Sequence, residues 1–228
     1  MKHRGKAKNA ADDPLYRFAW PIDQDGYVIE RIEGMPGGSL LSAVSTEYMR
    51  GRGGPWKYYR PMEDCPGLWR QFAETCTSPK TALVFANEFG LPSLGAQPGQ
   101  TLQGPSEFRQ QTLLQNVLNW AAVIREIVRL LDTERREDAL MLFNERSHAE
   151  TSMWIWRGEL RPFPKTLLSA MHIQTGEALT KNHIFKRCEN HSCSTWFKVG
   201  TGAHTKRKLY CTDRCRVAAN RQSKEEGR

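Results

Sequence analysis

The stretch that decides the fold reads Cys188-Glu189-Asn190-His191-Ser192-Cys193, and it is answered after seventeen intervening residues by Cys211-Thr212-Asp213-Arg214-Cys215. Two close cysteine pairs set apart by a longer loop have the spacing of a four-thiolate metal site. Each short loop delivers two ligands, and the long loop closes the tetrahedron. Two disulfides or four separate thiols are the competing readings. The opening Met1-Lys2-His3-Arg4-Gly5-Lys6 is basic with no apolar run behind it, unlike a secretory leader. A reducing cytosol is therefore expected, where such pairs bind metal instead of oxidising. The ion expected is one structural Zn²⁺ per chain, held by Cys188, Cys193, Cys211 and Cys215, because four closed ligands leave no position for a reacting water. His183, His191 and His204 lie near enough in sequence to replace a thiolate, but they read as surface or loop histidines.

Charge singles out the same region. Residues 181–228 hold twelve Lys and Arg against four Asp and Glu, a net +8 that equals the value for the whole chain, so residues 1–180 balance to zero. Four ligating thiolates and one Zn²⁺ change that sum by −2, leaving about +6. Positive charge gathered on so short a segment implies a polyanionic partner, and nucleic acid is the commonest. The 228 residues allow one sizeable core and a small appendage. No apolar run reaches membrane-spanning length, so no membrane partner is expected.

These features divide the chain into a disordered basic leader over 1–13, a mixed helical and strand regulatory domain over 14–182, and a zinc finger over 183–228. The fold class expected is α+β: a mainly helical N-terminal domain with a small strand hairpin, followed by a treble-clef-like four-cysteine finger. Residues 15–20 and 27–32 read as strands around the turn-forming segment 21–26 and predict that hairpin. Residues 56–59 supply a further strand or an aromatic cap. A short helix is expected over 68–74, then one opened by Ser78 with Pro79 behind it and ended by Gly90. Residues 91–105 read as a loop, and Ser106 as the cap of the longest helix, 107–132. Its stripe is Leu114, Val117, Leu118, Ala121, Ile124, Val128 and Leu131. Thr133 caps the next helix, 153–156 is strand-like, and a helix through Leu167, Met171 and Leu179, kinked at Gly176, leads to the finger. Cys65 and Cys76 lack partners at metal spacing and read as free thiols.

Within the finger, Trp196 and Phe197 are the bulk that a lobe with little core requires. Lys206, Arg207 and Lys208 form a basic loop that returns to Cys211 as a strand. Cys211 and Cys215, four apart, are expected on one helix face continued by Ala218 and Gln222. The opposite face then carries Arg216, Asn220 and Lys224, flanked by Arg214 and Arg221. Arginine and asparagine suit bidentate contacts with base edges, and lysine suits phosphates. The candidate nucleic-acid contacts are therefore Lys198, Lys206, Arg207, Lys208, Arg214, Arg216, Asn220, Arg221 and Lys224.

Arg187-Cys188-Glu189-Asn190 through Cys193, then Trp196-Phe197, the basic loop, and Tyr210-Cys211 leading to Cys215 and a basic helix, resemble the CGNR zinc-finger family. Upstream, the long helix, Leu142-Phe143-Asn144, a strand and a pre-finger helix follow an order similar to the ABATE-type region that precedes this finger in bacterial members. The close likeness covers about the last forty-five residues. The name motif of the family is absent: Cys215 is followed by Arg216-Val217-Ala218, and an Asn220-Arg221 pair comes later. The resemblance implies a transcription regulator.

The function expected is a zinc-dependent, cytoplasmic DNA-binding regulator that favours DNA over RNA. Residues 14–182 would take a small-molecule or protein effector or form a homodimer. An RNA module would need Trp196 and Phe197 exposed for stacking. A protein-docking clip is a further alternative. No catalytic residues are assigned: a nuclease could draw only on His191, His204 and Asn220, and no phosphate loop, zinc-protease helix or serine elbow is present.

Overall fold

The computed structural model describes residues 18–32, 46–92, 111–146, 151–156, 158–181, 183–193, 195–199 and 207–226. The basic leader, the start of the first expected strand, the loop over 93–105, the cap at Ser106, and His204 and Lys206 lie outside the described residues, as does the side chain of Lys224.

The first strand, β1 (Trp20–Asp23), pairs antiparallel with β4 (Trp56–Tyr59), placing Trp20 opposite Tyr59. Strand β2 (Tyr27–Ile32) pairs with β3 (Thr46–Gly51), whose other edge takes β5 (Gln111–Leu113). The expected hairpin between 15–20 and 27–32 is thus corrected: β1 and β2 belong to different sheets. The cause is Asp23, which is 1% exposed. Its carboxylate accepts from the backbone N–H of Asp25 at 2.9 Å, Gly53 at 2.7 Å and Gly54 at 3.1 Å, and so draws the segment before β4 alongside β1. Those backbone donors satisfy the oxygens that burial takes out of water.

Three helices follow: α1 (Pro61–Asp64), α2 (Leu68–Thr75) and α3 (Pro79–Phe89). Ser78 caps α3 as its sequence predicts, in a reciprocal box with Thr81, and Gly90 ends it at φ 86°. The long helix α4 (Leu114–Asp132) starts later than expected, because Gln111–Leu113 pairs with β3 instead. Of its expected stripe, Leu114, Val117, Ala121 and Ile124 are buried, while Leu118, Val128 and Leu131 are half-buried and Ile127 and Leu130 complete the buried face. Thr133 closes α4 rather than opening α5 (Arg136–Arg146); its hydroxyl donates to the carbonyls of Arg129 and Leu130. Strands β6 (Thr151–Trp156) and β7 (Glu159–Pro164) form a hairpin. Pro162 and Pro164 lie in β7, which pairs among the described residues with β6 alone, the setting in which a strand tolerates proline. Helix α6 (Leu167–Lys181) runs through Gly176 without interruption.

The chain ends in β8 (Ile184–Arg187), β9 (Trp196–Val199) and α7 (Asp213–Glu226). The class is mixed α+β, and among the described residues the part before the cysteine region holds three small sheets in place of one hairpin. Its core gathers Trp20, Tyr27 and Met49 from the sheets with Trp69, Phe72 and Phe85 from α2 and α3, closed over by Leu167 and Met171 of α6. Among the described residues no helix is long and apolar enough to cross a membrane.

Cys65 and Cys76 are free, as expected. Burial pushes the Cys65 thiol up to about 12 and raises Cys76 as well, and it pushes the Tyr27 phenol up to about 12. Below pH 9, the ordinary thiol value, these groups are neutral whether the chain is folded or unfolded. Above it the unfolded chain loses protons that the folded chain keeps, so stability falls as pH rises. The denaturant midpoint is therefore expected to decline between about pH 9 and 12. A Cys65→Ala, Cys76→Ala double variant should show a shallower decline in the same urea titrations; an equal slope would place the effect elsewhere.

Candidate metal centre and basic helix

The antiparallel pair β8 and β9 brings Arg187 opposite Trp196 and leaves 188–195 as its tip. Three hydrogen bonds shape that tip: Cys188 N–H to the Thr195 carbonyl at 3.1 Å, Cys193 N–H to the Asn190 carbonyl at 2.8 Å, and Ser192 N–H to Asn190 Oδ1 at 3.1 Å. Asn190 is 5% exposed and makes the side-chain turn that folds the first cysteine loop back on itself. Glu189 N–H donates to the Leu209 carbonyl at 3.0 Å, which ties the tip to the segment entering α7.

Thr212 caps α7 by accepting from Cys215 N–H at 3.2 Å. Cys215 is thus in the first turn of the helix, whereas Cys211 precedes it. This corrects the expectation of both cysteines on one helix face. The expected strand into Cys211 is also absent over the described residues 207–210. Four apart, the two thiols still meet, because the cap bends the chain around them.

The four sulfurs lie within 4.8 Å of one another, with Cys193 to Cys211 at 3.7 Å and Cys211 to Cys215 at 3.5 Å. A metal bonded to four thiolates at about 2.3 Å with tetrahedral angles needs sulfurs about 3.8 Å apart. The set therefore fits one metal ion, and none of these thiols is in a disulfide. Burial raises Cys188 and Cys211, and the neighbouring thiols raise Cys211 further. Cys215 moves the other way, to about 7, chiefly through its hydrogen bond with the Thr212 side chain. A thiol ionised near neutrality gives an incoming cation its first ligand, and binding then expels the remaining protons.

Gln222 Nε2 donates to Ser192 Oγ at 3.1 Å, pinning the third turn of α7 to the tip. Cys215, Ala218 and Gln222 accordingly face the lobe, while Arg214, Arg216, Asn220 and Arg221 are exposed. Arg207 and Lys208 are exposed in the approach to α7, and Lys208 Nζ lies 5.3 Å from the centre of the Phe197 ring. Lys198 stands in β9, its amine held below the usual range by burial, with Glu177 of α6 opposing that shift and Lys181 adding to it. His183 is held below its usual range by burial and then by Lys198. His191 is exposed, and neither histidine belongs to the sulfur cluster.

The lobe is fastened to α2 through contacts the sequence did not announce. Arg70 is 7% exposed, and its guanidinium lies between two rings, 5.0 Å from the centre of Trp69 and 4.9 Å from that of Trp196. Asp132 holds it from the end of α4 with two bonds, at 2.8 and 3.2 Å. Trp196 Nε1 donates to Glu74 at 3.0 Å, and Trp69 meets Phe185 edge-on at 5.6 Å. At Gly67 a Cβ would stand 2.5 Å from the Trp196 Cβ and 2.8 Å from its carbonyl oxygen, so only glycine admits β9 here.

The chain matches no known family model and no curated protein.

Two measurements probe this arrangement. Chelation of one bound metal ion per chain should abolish the helical signal of α7 while the core still melts cooperatively, and Cys215→Ser should weaken metal binding; retention of α7 after chelation would oppose a structural metal. Separately, Trp196→Ala should cost about 2 kcal/mol through the lost cation–π contact and hydrogen bond. It should let residues 207–226 tumble faster in ¹⁵N relaxation with metal stoichiometry unchanged.

Proposed function

We propose that the protein is a zinc-dependent DNA-binding transcription regulator. Four thiolates in a closed tetrahedral set suit zinc, and a two-cysteine hairpin tip facing a third ligand before a helix and a fourth in its first turn is a treble-clef-like arrangement. The reading rests chiefly on α7: Arg216 and Asn220 are exposed opposite the face that carries Cys215 and Ala218, and Arg214 and Arg221 are exposed on its flank. Arginine and asparagine on one exposed helix are the donors for base edges in a major groove, and Arg207 and Lys208 suit the flanking phosphates. The excess charge of residues 181–228, +8 by sequence, supports a polyanionic partner.

Duplex DNA is favoured over single-stranded RNA. Phe197 is 5% exposed and Trp196 is engaged with Arg70 and Glu74, so neither ring is free to stack on a base. Transcription regulation is also the role that the CGNR resemblance implies.

Zinc-loaded protein should bind duplex DNA with an affinity that falls steeply with salt. Lys208→Ala should weaken binding about equally across sequences and reduce the salt slope by about 1, whereas Arg221→Ala should cost about 1–3 kcal/mol and relax sequence preference. Fluorescence anisotropy decides it. A zinc-loaded sample with no affinity at low salt would overturn the reading.

A further inference from the structure

Where α5, α6 and the β6–β7 hairpin meet, the chain leaves a cavity of about 570 Å³, within the range of small-molecule sites. The Phe143 ring, Ile173, Pro162 and the bare backbone of Gly176 form its apolar side. Gly176 is the informative residue. It lies inside a regular helix, where glycine lowers stability relative to alanine. Its neighbours do not demand it: a Cβ there would meet the edge of Phe143 at 3.5 Å, an ordinary contact. The missing side chain therefore leaves room without relieving a clash. His172, 9% exposed, closes the inner end with its ring 6.0 Å from that of Phe143.

The rim carries two cations, each in an exposed ion pair. Arg161 and Lys181 line the cavity with Glu177, and Glu159 reaches Arg161 beside it, so the four side chains sum to zero. Arg161 pairs with Glu159 and Lys181 with Glu177, and both cations keep 40% or more of their side chains exposed. Exposed pairs of this kind are weak and exchange readily for a better-placed anion.

We infer that this cavity binds a small aromatic monocarboxylate, its ring between Phe143, Ile173 and Gly176 and its acid group at Arg161 and Lys181. The inference is independent of whether α7 reads nucleic acid.

The test is titration of the full, metal-loaded chain, isotope-labelled at isoleucine methyls, with 2-naphthoate and with neutral 2-naphthamide. Naphthoate should shift the Ile173 methyl saturably and leave in place both the core Ile22 and Ile155, which is 78% exposed on the hairpin. Gly176→Leu should abolish the shift by filling the cavity, with an undisturbed Ile22 signal reporting an intact fold; Gly176→Ala should retain it. The Arg161→Ala, Lys181→Ala double variant should bind naphthoate about tenfold or more weakly and leave the amide unaffected. This variant decides the matter should Gly176→Leu fail to fold. Absence of a saturable Ile173 shift, a shift at Ile155 instead, full binding by folded Gly176→Leu, or amide affinity equal to that of the acid would each overturn the proposal.

Discussion

Four thiols brought to one point organise a lobe whose own buried apolar set, among the described residues, is Cys188, Phe197 and Val199. Burying one phenylalanine and one valine offsets the ordering of only a few residues, far fewer than the lobe contains. Shape must therefore come from ligation and from fastening to another body. The hydrogen bonds of Asn190, Thr212 and Gln222 explain how the backbone brings the sulfurs together. They are local and polar, however, and local polar bonds add little net stability without a stronger constraint behind them.

The second constraint is Arg70. A guanidinium that is 7% exposed is costly unless paired, and here Asp132 supplies the charge while Trp69 and Trp196 supply the two faces. One side chain thereby joins α2, the end of α4 and β9. Because Asp132 is itself half-exposed, the pair keeps one partner in water and avoids the full desolvation penalty of a buried ion pair. Gly67 completes the joint by admitting the Trp196 backbone at a distance no other residue permits.

How much of this was legible follows from the range of each interaction. The cysteine spacing, the Ser78 cap, the stripe of α4 and the outward cations of α7 are local patterns, and the sequence displays them directly. Strand partners are not local. Residues 15–20 and 27–32 looked like a hairpin because a turn lies between them, and nothing nearby reveals that the Asp23 carboxylate will seek the N–H groups of Gly53 and Gly54. Gln111 to Leu113 fell within the helix expected behind Ser106, ahead of its apolar stripe, and an open edge of β3 claims them. The joint at Gly67 was equally hidden, since a glycine beside a short helix reads as a loop residue until β9 is laid upon it. Asn190, by contrast, is readable: an asparagine in a short loop between two cysteines suits a side-chain turn, here to the N–H of Ser192.

The lobe has two attachments to the core, and together they determine what α7 can do. Helix α6 is held internally, with buried Gln174 Nε2 donating to the carbonyls of Pro61 and Cys65 at 2.9 Å each, and it continues within three residues into β8. The α2 contact restrains β9, the other strand of the same hairpin. A hairpin held at both strands cannot swing about either one, so the tip, the sulfurs and the pinned α7 move with the core. A basic helix presented in this way has lost its orientational freedom at folding, before any partner arrives. In the proposed complex with DNA, less of the contact energy would go to ordering the protein, the advantage of a preorganised surface over a flexible basic tail of equal charge.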